Sequence, residues 1–393
     1  MNIQQARRLR ELPPYIFSEL NAIKADASKR GIQLTSLAIG DPDKPTPPEI
    51  LKFIQEASLK PENHAYSPYE GTPAFRQSVA TWMQSRFGVS LDPQKEIVAL
   101  IGSKEGIAHF PVAFCDPGDK VLYPSPGYPV FATSISLGGG QPIPIPLTPE
   151  SGFVPDPQVL EDLFRTHQPK YAILNFPSNP TSATLSLKQL TEIVGLAKKY
   201  SVWILFDNAY SEIYFDEKEK PPSILEVPGA KDICIELQSF SKSYNMTGWR
   251  IGFAAGNPEL VGGLLRAKTN IDSGPLLAVQ EACTRILPRA DEFSGPIRDL
   301  YSVRRDAMLS GLQDIGIEVF APKATFFVWA RVPNGGKSMD FTKHLIEKTG
   351  VVVTPGIGFG DPGEGFFRLA LTVDPPQIHA ALQKLKDALP SFR

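Results

Sequence analysis

Cysteine is scarce: Cys115, Cys234 and Cys283 are the only three in 393 residues, and none stands in a Cys-x-x-Cys spacing. An odd number so widely separated gives no disulfide framework and no redox motif, so buried reduced thiols are expected. Histidine is nearly as sparse. His64, His109, His167, His344 and His379 show no metal-ligand spacing, and no metal is expected. Excess charge is lacking too, since 40 basic and 42 acidic residues leave a formal −2 without long like-charged blocks. Nothing electrostatic therefore points to nucleic acid or a membrane surface as partner. No apolar run approaches a membrane span, and residues 1–10 are polar, without the apolar stretch of a signal peptide. The expectation is a soluble, cytoplasmic protein of two domains, each long enough to bury its own core.

What is present is an alternation of short β-rich runs with helical patterns, the signature of an α/β sheet with crossover helices. Residues 97–101, 120–123, 171–176, 202–206, 233–237 and 251–255 read as strands. Several are continuously apolar, as strands covered on both faces should be. Ser186 with Gln189 three residues on reads as a capping box opening a helix over 190–200, and Thr46 with Pro47 as the start of one over 49–57. Phe75, Val79, Trp82 and Met83 follow helical spacing as core, and Gly88 supplies a stop. Beyond about residue 285 the pattern changes to a long charged helix (291–315), strands at 325–332, 351–354 and 366–372, and helices at 338–349 and 376–389. Residues 1–44 read as an N-terminal arm and helix belonging to a smaller α+β domain, 45–285 as a large domain, and 286–393 as the rest of the small one. The prolines, 38 in all, sit mostly in connections, including 142–149.

Chemistry concentrates in segments that follow strands. Ser239-Phe240-Ser241-Lys242-Ser243-Tyr244-Asn245-Met246-Thr247-Gly248-Trp249-Arg250 sets one amine between hydroxyls and an arginine, which suits covalent capture of a phosphorylated aldehyde as an imine. Gly102-Ser103-Lys104-Glu105-Gly106 lies between a strand and a helix, where free N–H groups and the helix dipole attract an anion. Asp207 ends an apolar strand, with Tyr210 three residues on. A carboxylate there either faces a pyridine nitrogen and keeps it protonated or caps a helix. Asn179, in Asn175-Phe176-Pro177-Ser178-Asn179-Pro180-Thr181, and Tyr128, in Ser125-Pro126-Gly127-Tyr128-Pro129, are turn residues or ligand contacts. Arg368, inside the apolar strand 366–372, needs an anion: a substrate carboxylate or an internal acid. Gly358-Phe359-Gly360-Asp361-Pro362-Gly363 fits a dinucleotide fingerprint, but a strand follows where that motif requires a helix, so it is read as a false positive.

Taken together, these segments resemble the fold-type I, pyridoxal-phosphate-dependent aminotransferases of class I, across nearly the whole chain. Ile39-Gly40-Asp41-Pro42 and Tyr66-Ser67-Pro68-Tyr69-Glu70-Gly71 precede Gly102–Gly106, and the remaining motifs follow in family order. The resemblance implies a large domain with a mixed, mostly parallel sheet sandwiched by helices, plus a smaller α+β domain. It implies that Lys242 forms the Schiff base with pyridoxal 5'-phosphate, Asp207 pairs with the ring nitrogen, and Tyr210 and Asn179 bond the ring oxygen. Ser103, Lys104, Ser239 and Arg250 would hold the phosphate, Tyr128 would stack on the ring, and Arg368 would take the substrate α-carboxylate near Gly40. A homodimer is implied, with Tyr66 reaching the neighbouring site. Thr269-Asn270-Ile271-Asp272-Ser273-Gly274, residues 11–15 and residues 351–356 look most like the LL-diaminopimelate aminotransferases, for which Tyr15, Lys104 and Asn270 match positions around substrate. The implied reaction exchanges an amino group between LL-2,6-diaminopimelate and 2-oxoglutarate on the route to lysine. Ser182 stands where the family usually has glycine, and Tyr69 where some members carry an acid. The second departure leaves class I enzymes acting on alanine, aspartate or aromatic amino acids as the alternative.

Overall fold

In a computed structural model, which describes residues 3–12 and 16–392, the apolar runs of the middle of the chain form a seven-stranded sheet. Its order is Ile97–Leu100, Gly252–Gly256, Cys234–Ser239, Trp203–Asp207, Tyr171–Asn175, Lys120–Ser125 and Gln141–Pro146. Gly252–Gly256 runs antiparallel to both neighbours, and the remaining pairs are parallel. Neighbouring residues of one strand enter different cores. Ala172 and Leu174 pack with Phe75 and Trp82 on one face, and Tyr171 and Ile173 with Phe110 and Leu264 on the other. Burial on both faces explains the unbroken apolar runs, each enclosed aliphatic side chain adding about 1.5–3 kcal/mol.

The edge strand Gln141–Pro146 was not expected, because its alternating prolines read as a connection. The N–H groups of Gln141 and Leu147 donate toward the neighbouring strand, to Asp119 and Ser125. Pro142, Pro144 and Pro146, of opposite parity, turn their missing donors outward, where an edge needs none. Elsewhere the capping box at Ser186 and Gln189 forms, and Gly88 ends its helix at φ +68°. Thr46 caps nothing. Its hydroxyl donates to the Asn245 carbonyl at 2.7 Å and accepts from Trp249 Nε1 at 3.1 Å.

A second layer is a four-stranded antiparallel sheet, Thr354–Pro355, Phe366–Ala370, Phe327–Arg331 and Val319–Phe320. Helices Ala290–Asp314, Ser338–Thr349 and Pro375–Ala388 supply Met308, Leu345 and Leu385 to the apolar cluster that holds Val328 and Leu369. The strand expected over 351–354 divides: Val351–Val352 pairs in parallel with Thr35–Ser36, and Thr354–Pro355 joins the larger sheet. After Thr354–Pro355 come two 3-10 turns, Gly356–Phe359 and Asp361–Gly363, and then the strand Phe366–Ala370. No α-helix begins at the glycines, in accord with reading them as no dinucleotide motif. A Cβ on Gly356 or Gly363 would collide with the other's carbonyl oxygen, so these glycines serve a tight backbone crossing.

Candidate active site

Parallel strands deliver their carboxyl ends to one edge, and the antiparallel strand Gly252–Gly256 begins there too. Gly102, Asn175, Asp207 and Ser239 therefore meet Arg250 around a cavity of about 500 Å³. Such an edge, with loops free to carry function, is where open α/β sheets bind ligands. The far wall comes from Ala38–Asp41, Phe327, Phe359 and Arg368, so the cavity lies between the two layers.

Lys242 sits on the one-turn helix Phe240–Ser243, and its Nζ donates to the Gly40 carbonyl at 3.0 Å. Burial brings the amine down to about 8, with Asp41 opposing and Arg368 and Arg250 adding to the drop. Desolvation is the largest of these influences.

Asp207 is only 5% exposed, and no helix starts after it, which removes the capping alternative. Its Oδ2 accepts from Asn175 Nδ2 at 3.1 Å, while Oδ1 is buried without a hydrogen-bond partner. Burial pushes this carboxyl up to about 7, although the Ala209 N–H pulls the other way. Asn175 is a site residue whose part the sequence did not disclose. It ends its strand in register with Asp207, and its Oδ1 accepts the Asn179 N–H at 3.0 Å. Tyr210 is buried edge-on against Phe326 and Phe327, and Tyr128 lines the same cavity.

Gly102 adopts φ +98° as the N-cap of the helix Ser103–Phe114, and a Cβ there would lie 2.6 Å from Arg250 Nη2. The missing side chain lets a guanidinium close on free helix-start N–H groups, with the hydroxyls of Ser103, Ser239 and Ser241 and the amine of Lys104 lining the same cavity. Together they form an anion cradle.

Arg368 Nη1 donates to Asn179 Oδ1 at 2.7 Å and Nη2 to the Ala38 carbonyl at 2.7 Å, with the guanidinium over the rings of Phe327 and Phe359. Gly40 is fixed beside it because a Cβ would meet Phe327 Cζ at 2.8 Å.

The model of the family "Aminotransferase class I and II" matches residues 32–385. The chain belongs to that family. Aminotransferases transfer amino groups, and this enzyme's fold is the mixed sheet between helices with a smaller α+β layer. It is 50% identical over 381 residues to the LL-diaminopimelate aminotransferase of Nitratidesulfovibrio vulgaris strain DP4, covering 97% of this chain and 98% of that one. The LL-diaminopimelate aminotransferase of Aquifex aeolicus strain VF5 is 48% identical, with the same coverage of both chains. Among solved structures, a probable N-succinyldiaminopimelate aminotransferase of Thermus thermophilus superposes with TM-score 0.89 at 34% identity, covering 95% of this chain and 100% of that one.

Not every expected residue of this aminotransferase reaches the cavity. Tyr66, 88% exposed, Tyr69 and Asn270 all lie on the surface outside it. Tyr15 lies outside the described residues. Asn21 and Lys24 of the helix Ile16–Lys29 do line the cavity, as does Asp41, and no motif marked those two helix positions. Among the described residues, one group of potential metal ligands comes together, Glu105, His109 and Asp272. The Lys268 ammonium lies against both carboxylates, so this cluster carries its own cation. Also among the described residues, no helix is long and apolar enough to cross a membrane.

Proposed function

We propose that the cavity holds pyridoxal 5'-phosphate and that the enzyme moves an amino group between LL-2,6-diaminopimelate and 2-oxoglutarate, in the cytoplasm and on the route to lysine. One observation carries the cofactor assignment: the buried Asp207 Oδ1 without a partner, on a carboxyl raised by burial, in the same cavity as an amine lowered by burial. A protonated ring nitrogen supplies what that carboxylate lacks, and the anion cradle at Gly102 suits the phosphate. The substrate assignment is supported by the identity to the diaminopimelate enzymes over nearly the whole chain.

When bound, the cofactor supplies an aldehyde for the amine and a ring that takes up electrons released at the substrate's α-carbon. Lys242 would hold the cofactor through its amine, and its Nζ is the group that would take the α-proton of the substrate. An amine near pKa 8 keeps roughly one molecule in ten in the free-base form at pH 7, against fewer than one in a thousand at the ordinary lysine value. Asp207 keeps a proton on the ring nitrogen, and Asn175 keeps Asp207 in place. Tyr210 and Asn179 bond the ring oxygen, Tyr128 stacks on the ring, and Ser103, Lys104, Ser239 and Arg250 bind the phosphate. Arg368 grips the α-carboxylate beside Gly40. Tyr15 and Lys104 surround the distal end of the substrate, and Asn270, outside this chain's own cavity, reaches it from the other subunit.

The assembly we propose is a homodimer in which Tyr66 and Tyr69 enter the site of the other subunit, with 45–285 as the large domain and 1–44 and 286–393 as the small one. Lys242→Ala tests the assignment. Turnover and borohydride-trappable cofactor are expected to disappear together, and retention of both would overturn it.

A further inference from the structure

The helix that opens the anion cradle carries an acid in its first turn. Glu105 is the third residue of Ser103–Phe114, and its Oε2 accepts the N–H of Ile101 at 2.6 Å, reaching back across Gly102. A buried carboxylate this close to a phosphate site opposes the anion that the helix dipole and Arg250 attract. Lys268 answers it. Its side chain is 0% exposed, its Nζ lies 2.8 Å from Glu105 Oε1 and 2.6 Å from Asp272 Oδ1, and it belongs to a different helix, Pro258–Lys268. Asp272 in turn accepts the Gly274 N–H at 2.9 Å, closing the turn that follows Asn270. His109 faces the cluster, Nδ1 lying 3.5 Å from Glu105 Oε1 and 3.7 Å from Asp272 Oδ2.

Without Lys268, two carboxylates would stand behind the cradle with only His109 beside them. With it, Glu105 can brace the backbone at Ile101 without spending the positive potential of the helix start. We infer that Lys268 is a positioning residue for phosphate binding: it neutralises Glu105 and so lets that side chain fix the Gly102 turn. The inference rests on the cofactor assignment above. It predicts a defect specific to the phosphate, because the ring-binding residues lie elsewhere along the sheet edge.

The experiment compares wild type, Lys268→Met and Glu105→Gln/Lys268→Met, each full-length, purified with cofactor, resolved and titrated with pyridoxal 5'-phosphate and separately with pyridoxal, which lacks the phosphate. Absorbance reads binding. Lys268→Met is expected to weaken pyridoxal 5'-phosphate binding roughly tenfold or more and to leave pyridoxal unchanged. Removing the unpaired acid in the double variant is expected to recover most of the loss. Unchanged pyridoxal 5'-phosphate affinity in Lys268→Met, an equal loss for both ligands, or a double variant no better than the single would overturn the inference. If Lys268→Met does not fold, the double variant decides: affinity within roughly threefold of wild type supports the inference, and a roughly tenfold loss overturns it. A wild-type protein that binds neither ligand would instead overturn the cofactor assignment.

Discussion

Lys242 Nζ donates to the carbonyl of Gly40 at 3.0 Å, joining the sheet edge to a segment that the four-stranded layer holds in place. That segment is tied by Ala370 N–H to Leu37 O, by Arg368 to Ala38 O and by Thr372 to Ile39 O. The amine is thus positioned from both sides of the cavity. Gly40→Ala places a Cβ 2.8 Å from Phe327 Cζ and must move either the ring or the carbonyl. A fall in kcat/KM of about tenfold is expected, with the folded state retained, as measured by steady-state kinetics alongside circular dichroism.

Asp207 gives a pH signature in the cofactor-free protein. Its folded value, about 7, stands above the ordinary 3.8. Between about pH 4 and 7 the unfolded chain has lost this proton while the folded chain keeps it, so the group lowers stability as pH rises through that window. Asp207→Asn removes the effect. Urea unfolding of the apoprotein across the window should show a shallower decline in the variant, and the cofactor-loaded variant should lose roughly a hundredfold or more in kcat.

Arg368→Lys keeps the charge and loses the planar fork. A loss of about 3 kcal/mol in transition-state stabilisation, roughly a hundredfold in kcat/KM, is expected. Binding of pyridoxal 5'-phosphate should be unaffected, because the cradle lies at the opposite wall.

Tyr66 is exposed in a single chain, yet its segment is held firmly: Gln280 Nε2 donates to Ser67 Oγ at 2.8 Å and its Oε1 accepts the Thr72 N–H at 2.7 Å. A rigid platform presenting an exposed tyrosine fits a residue that acts in a second subunit. Mixed assemblies of Lys242→Ala and Tyr66→Phe subunits should recover activity above either variant alone, since one of the two sites would then be intact. No recovery on mixing would place Tyr66 within its own subunit's function or outside function altogether.

Much of the site was legible because strand ends announce themselves: Asp207 and Gly102 each follow a continuous apolar run, Lys242 follows the β-rich run 233–237, and the parallel sheet brings such ends to one edge. Asn175 was missed as a partner of Asp207 because register between strands is a tertiary property, although both residues close their strands. Proline misled at Gln141–Pro146, where parity along an edge strand, invisible without knowing the edge, decides whether a missing N–H matters. Asn21 and Lys24 came to the cavity only through packing of the helix Ile16–Lys29 on Ser338–Thr349, which pairs Leu20 with Ile346. Arg368 was recognisable as a buried cation in an apolar strand. Its contacts to Asn179 and Ala38 depend on the meeting of the two layers.

Single-turnover spectroscopy of the cofactor-loaded enzyme tests the proposed reaction most directly. LL-diaminopimelate is mixed with the protein in the absence of any keto acid, and alanine, aspartate, phenylalanine and N-succinyl-LL-diaminopimelate are run in parallel. Rapid bleaching of the aldehyde band by LL-diaminopimelate, with return on adding 2-oxoglutarate, is the predicted result. Bleaching by another of these donors while LL-diaminopimelate leaves the band unchanged would contradict it.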